Sequence, residues 1–131
     1  MRDLLLVGVG GFAGAVARYR LGGAILHHTV ENRFPFATFA VNLLGCLFVG
    51  LLAGWGEARA GLPSAPSPEL RLLLITGFCG GFTTFSAFGL ETVYLLRRDA
   101  WMVASLNVLV SVAGGIAGVW VGWRLLAAAA R

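Results

Sequence analysis

Thr38 and Asn42 stand four residues apart in one apolar stretch, and Asn107 and Ser111 repeat that spacing in another. At helical periodicity each pair shares a face. Two segments would therefore present amide and hydroxyl groups in the same way. Between them runs Gly77-Phe78-Cys79-Gly80-Gly81-Phe82-Thr83-Thr84-Phe85-Ser86-Ala87-Phe88, followed by Glu91. Hydroxyls and amides donate hydrogen bonds without a fixed charge. Phe85 and Phe88, three residues apart, add ring edges of partial positive charge. A phenylalanine pair in an apolar helix is ordinarily packed or lipid-facing. The company of Thr38, Asn42 and Ser86 is what points to an anion path. Polar groups at membrane depth are expensive and face a cavity, a partner or a bundle interior.

Gly77, Gly80 and Gly81 fall within five residues, and each glycine weakens a helix by about 1 kcal/mol against alanine. A break here would release backbone groups, which persist at membrane depth only where they line a cavity or bind an ion. Released carbonyls suit a hard cation, and helix N-termini suit an anion. A straight helix with a glycine packing face is the competing reading, and local chemistry leaves both open.

The elements that must carry these residues are four apolar runs: Leu4 to Leu26, Phe36 to Trp55, Leu70 to Leu96, and Trp101 to Ala130. Each is long enough for the roughly 20 residues that cross a hydrocarbon core. They are continuously apolar, so helices are expected rather than strands. Thr29 to Pro35 links the first pair, and Glu57 to Glu69, with Pro63, Pro66 and Pro68, links the second. Arg97, Arg98 and Asp99 turn the chain into the last run. The chain of 131 residues reads as one all-α integral membrane domain, 1–131. Charged residues are 12% and hydrophobic residues 58%. A water-facing surface of this size needs about twice that charge. Small-xxx-small pairs at Gly10–Gly14, Gly50–Gly54, Gly114–Gly118 and Gly118–Gly122 suggest close helix contacts.

The net charge of +4 comes from ten arginines and no lysine. They are scattered at the ends of apolar runs, which fits membrane anchors better than a nucleic-acid-binding stripe. Cys46 and Cys79 read as small buried hydrophobes, and His27 and His28 as interfacial residues. Ala15-Val16-Ala17 has the form of a signal-peptide cleavage site, but the surrounding glycines favour a helix-packing segment. With four spans, Arg2, Arg59, Arg71, Arg124 and Arg131 flank one side and Arg18, Arg20, Arg33, Arg97 and Arg98 the other, five against five. Arg18 and Arg124 are uncertain members, because each can fall inside its helix. A balanced count gives no strong orientation, and a chain inserting both ways can pair as an antiparallel dimer.

The run Gly77 to Phe88 resembles the signature of the Fluc/CrcB fluoride channels. Gly10-Gly11-Phe12-Ala13-Gly14-Ala15 leading to Arg18-Tyr19 is similar to that family's first helix. Pro35 to Asn42 resembles the start of its second, and Glu91 lies where the family has an acid after the motif. The resemblance covers the whole chain. It implies a non-enzymatic, fluoride-selective channel in a cell inner membrane or plasma membrane, exporting fluoride passively and relieving its toxicity. It implies four transmembrane helices with a broken third, in an antiparallel, dual-topology homodimer. It also implies a structural sodium ion at the dimer axis, held by the carbonyls of Gly80 and Thr83. Phe85 and Phe88 would be the ring-edge pair and Asn42 a pore amide. Thr38, Ser86, Glu91 and Ser111 would form a polar track, with Arg18 near a vestibule or anchoring the first helix. Ala37 and Ala87 depart from the family pattern. Ala87 replaces a hydroxyl residue, which shortens the expected track.

The competing function is a small proton-coupled multidrug-type exporter. Such proteins resemble a pattern with a carboxylate inside the first helix, whereas here the first run holds no acid beyond Asp3. Glu91 is the acid inside a long apolar segment. No G-x-x-x-x-G-K-[ST] loop is present, which argues against a primary pump.

Overall fold

The computed structural model describes residues 1–128. The expected end of the last run at Ala130, and Arg131 in the charge tally, lie outside the described residues. Four helical stretches are long and apolar enough to cross a membrane. The first is α1 (Arg2–Thr29) and the second α2 (Phe36–Ala58). The third is compound, passing through α3 (Pro68–Arg71), a π-helical stretch (Leu72–Cys79), α4 (Gly80–Phe82) and α5 (Phe85–Arg97). The fourth is α6 (Trp101–Ala128).

All four expected runs are present, and α1 is longer than its apolar core. Hydropathy stops at the first polar residues, whereas backbone pairing carries on through His27 and His28 to Thr29. The Thr29 hydroxyl adds a bond to the Ile25 carbonyl at 2.9 Å. Pro35 precedes α2 and has no N–H to leave unpaired. Ser67 caps α3 by accepting from Leu70 N at 3.2 Å, with Pro68 at the first helical position. Asp99 takes a left-handed φ of 55° in the turn into α6.

Packing proceeds in two glycine-lined pairs, α1 against the π-helical stretch and α4, and α2 against α6. A Cβ on Gly10 would strike the Leu73 carbonyl oxygen, and one on Gly14 the Phe78 carbonyl oxygen. Gly50, Gly54 and Gly122 hold the α2–α6 seam to the same backbone-on-backbone approach. Without a hydrophobic force between helices in lipid, such contacts are what hold spans together. Gly114 and Gly118 face only looser contacts with Leu43 and its neighbours.

Little is buried within one chain. Among the described residues the buried apolar side chains are Val41, Cys79, Phe82 and Ala104. Phe12 is 73% exposed, Phe85 83% and Met102 84%. Each such side chain left in water forfeits about 1.5–3 kcal/mol, so lipid or another subunit must cover these faces.

The third span settles the choice left open at Gly77, Gly80 and Gly81: the break is present, but the backbone stays helical through Phe82. Gly77 and Gly81 serve approach rather than breakage: a Cβ at Gly81 would collide with the Gly11 carbonyl oxygen, and one at Gly77 would lie 2.9 Å from Gly10 Cα, whereas Gly80 faces open space. The helix opens two residues later, where Thr83 (ψ 158°) and Thr84 (ψ 107°) are extended. Arg18 lies inside α1 and Arg124 inside α6. Arg20 also lies inside α1.

Candidate functional site

The opening at Thr83–Thr84 is held by side chains from other helices. In an unbroken helix Thr84 N would pair with the Gly80 carbonyl, Phe85 N with Gly81, and Ala87 N with Thr83. Asn42 on α2 takes over the first role. Thr84 N donates to Asn42 Oδ1 at 2.7 Å, and Asn42 Nδ2 donates to Thr84 O at 3.0 Å. Arg18 on α1 takes over the second, its Nε donating to Gly81 O at 3.1 Å. Thr84 takes over the third as the N-cap of α5, its Oγ1 accepting from Ala87 N at 3.2 Å. The carbonyls of Gly80 and Thr83 are thereby released from helical pairing. Thr83 Oγ1 turns back to the Cys79 carbonyl at 3.0 Å.

Beside the break lies a cavity of about 450 Å³. Asn42, Thr83, Thr84 and Ser111 supply its polar groups, and Phe85 and Phe88 form one side. Val49, Val112 and Ile116 make much of the remaining wall. The two rings sit 5.4 Å apart at 42° to one another. The N-terminal end of α5, with its partial positive charge, begins at these residues. Neutral donors, ring edges and a helix N-terminus together favour a negative guest over a positive one.

The sequence-predicted residues divide between three places. Asn42, Phe85, Phe88, Ser111 and Thr83 share the cavity. Thr38 and Glu91 form a separate pair outside its lining, the Thr38 hydroxyl donating to Glu91 Oε1 at 2.6 Å. Glu91 Oε2 is buried and has no hydrogen-bond partner. Ser86 is exposed, its hydroxyl 3.3 Å from Thr84 Oγ1. Gly80 is also exposed, with open space where a Cβ would be. Asn42, expected as a pore amide, commits its oxygen and one N–H to Thr84, which leaves one N–H for a guest.

Three contributors were missed or misplaced in the sequence. Cys46, read as a small buried hydrophobe, is half-buried and lines the cavity. Thr84 is the cap of α5, which a threonine three residues before Ala87 would have signalled. Thr92 donates to the Phe88 carbonyl at 2.7 Å and accepts from Asn107 Nδ2 at 2.9 Å. Its i−4 relation to Phe88 was the available signal.

Four spans, one of them interrupted beside a cavity of neutral donors, define a polytopic membrane protein built to pass or hold a small solute. The chain belongs to the CrcB-like family: the family model described as "CrcB-like protein, Camphor Resistance (CrcB)" matches residues 5–123. Among its relatives, a protein of Methylobacillus flagellatus named fluoride-specific ion channel FluC is 43% identical over 96% of this chain and 95% of its own length. A protein of the same name from Chlorobaculum tepidum is 50% identical over 95% of this chain and 94% of its own length. One from Chlorobium phaeobacteroides is 46% identical over 93% and 91%.

Proposed function

We propose that this protein is a fluoride-selective channel, not an enzyme, that lets fluoride leave the cell passively down its gradient. The carrying observation is the single cavity that gathers Asn42, Ser111, Phe85 and Phe88 beside the break in the third span. Fluoride is small and strongly hydrated. A pore must replace its water with donors, yet hold it weakly enough to release it. Neutral amides, hydroxyls and ring edges meet both demands better than a fixed cation. Thr38, Glu91 and Ser86 extend the polar track beyond the cavity. The names carried by relatives that match nearly the full chain support fluoride as the ion.

The working unit in this reading is an antiparallel homodimer with dual topology in a cell inner membrane or plasma membrane. The balanced arginines and the exposed apolar faces support it. A sodium ion at the dimer axis would find its ligands in the Gly80 and Thr83 carbonyls, since hard cations take oxygen donors and the break releases these two. When bound it would supply a fixed positive charge and cross-link the two breaks. The small proton-coupled multidrug-type exporter is set aside: family membership favours the channel, and α1 carries no acid beyond Asp3.

The test is fluoride efflux from liposomes containing the purified chain alone. Electrogenic efflux that needs a counter-ion shunt and ignores pH gradients supports the channel. Electroneutral efflux driven by protons, or none from folded protein, would reject it.

A further inference from the structure

Asn107 is a fully buried polar side chain, 1% exposed, and it stands outside the cavity lining. It joins α5 to α6, and one contact fixes the sense of every bond around it. Thr92 Oγ1 lies 2.7 Å from the Phe88 carbonyl, which can only accept, so the Thr92 proton is committed there. The Thr92 oxygen must then accept from Asn107. That turns Nδ2 toward Thr92 at 2.9 Å and leaves Oδ1 facing Ser111 at 3.3 Å. Oδ1 carries no proton, so the hydrogen between them belongs to Ser111. Ser111 lines the cavity, yet it aims its proton away from the cavity and shows it a lone pair.

We propose that Asn107 is a positioning residue that holds the Ser111 proton, with Thr92 fixing the sense of that hold. The proposal rests on the cavity being a fluoride path. An anion gains Ser111 as a donor only by drawing the proton off the Asn107 carbonyl. At 3.3 Å the hold is longer than an ordinary O–H···O bond, so it is weak and reversible. The contest is between an amide oxygen and the guest. Fluoride, with its charge concentrated on one small atom, is the strongest acceptor among the halides and wins it most readily. Larger halides, being weaker acceptors, leave the proton where it is and meet a lone pair. Asn107 thus acts on selectivity through Ser111, without touching the ion.

Two substitutions release the proton by different routes. Thr92→Val is nearly isosteric and removes the hydroxyl that orients the amide. Asn107 is then free to turn an N–H toward the Ser111 oxygen. Asn107→Leu removes the holding carbonyl outright. Single-channel currents of the purified protein in planar bilayers, recorded over rising fluoride, give the half-saturating concentration. It should fall about two- to tenfold in both variants, the range of one neutral hydrogen bond. In a Ser111→Ala background, Thr92→Val should have no such effect. A purely structural role would lower yield or thermal stability and leave half-saturation where it was. Unchanged half-saturation in folded Thr92→Val channels overturns the proposal, as does a shift that persists without the Ser111 hydroxyl. If Asn107→Leu does not fold, Thr92→Val decides alone. Wild-type protein that carries no fluoride current would fail the channel reading itself, and this proposal with it.

Discussion

Replacing Asn42 with leucine should unfold the break before it blocks the cavity. Leucine matches the asparagine in size and has neither donor nor acceptor. The wild-type amide accepts from Thr84 N at 2.7 Å and donates to Thr84 O at 3.0 Å. These two losses are unequal. The Thr84 carbonyl can still be satisfied inside α5 as its N-cap residue. The Thr84 N–H has no second partner unless the helix closes back onto Gly80. An orphaned buried donor costs about 1–3 kcal/mol, and the lost neutral bond to the carbonyl adds about 1 kcal/mol. A total of roughly 2–4 kcal/mol corresponds to a shift of about thirty- to several-hundredfold against the broken conformation. Thermal unfolding of the purified protein in detergent reads the loss, beside flux per folded protein in liposomes. Asn42→Asp separates the roles, because it keeps the acceptor for Thr84 N and places negative charge at the cavity. It should melt closer to wild type than Asn42→Leu while conducting little fluoride. Wild-type thermal stability in Asn42→Leu would refute the clamp and return Asn42 to a pore amide only.

Phe85→Ile and Phe88→Ile keep apolar bulk but remove the ring quadrupole and with it the ring–ring contact, which for an aromatic pair is worth about 0.5–1.5 kcal/mol. Each should slow fluoride efflux about two- to tenfold without changing the size-exclusion profile. Gly14→Ala drives a methyl into the Phe78 carbonyl oxygen and should destabilise the α1 seam by about 1–3 kcal/mol, read as a lower unfolding temperature. Glu91→Gln keeps an oxygen to accept from Thr38, so downhill flux should persist; uphill fluoride transport driven by a pH gradient in wild type, and lost in this variant, would instead make Glu91 a proton-coupling site. Single-cysteine labels at the C-terminus should react from both sides of native membranes, and labelling from one side only would exclude dual insertion.

The fold was legible because lipid simplifies the rules. Backbone groups in hydrocarbon must pair within a helix, so four apolar runs became four spans with little room for alternatives. Asn42, Phe85 and Phe88 could be singled out because they lie in stretches that resembled a known family, and Ser111 through its spacing from Asn107; the fold places all four on one cavity. What did not show was the residue at which the helix opens. Helix propensity points at glycine, and Gly77, Gly80 and Gly81 looked like the weak link. At Gly77 and Gly81 that weakness is offset by contact with α1, which only glycine permits at that distance. Thr83 and Thr84 look harmless by comparison, and their extended backbone depends on an amide from α2. Local sequence carries no record of a partner forty-two residues away.

The backbone accounting at the break gives the site its order. An interruption in a membrane helix releases several groups at once, and every unpaired one is a liability. Here Asn42 satisfies Thr84, Arg18 satisfies Gly81, and the Thr84 hydroxyl satisfies Ala87. Three side chains from three spans therefore decide which carbonyls remain available, and those of Gly80 and Thr83 are among them. The same three side chains fix where α5 begins, and so where Phe85 and Phe88 present their rings to the cavity. Arg18 need not touch any guest to matter: a hydrogen bond from a charged donor contributes about 1.5–3 kcal/mol, on the order of what the Asn42 clamp contributes. Placement of the ring pair and release of the two carbonyls are thus one structural event, and a substitution that closes the break must move both.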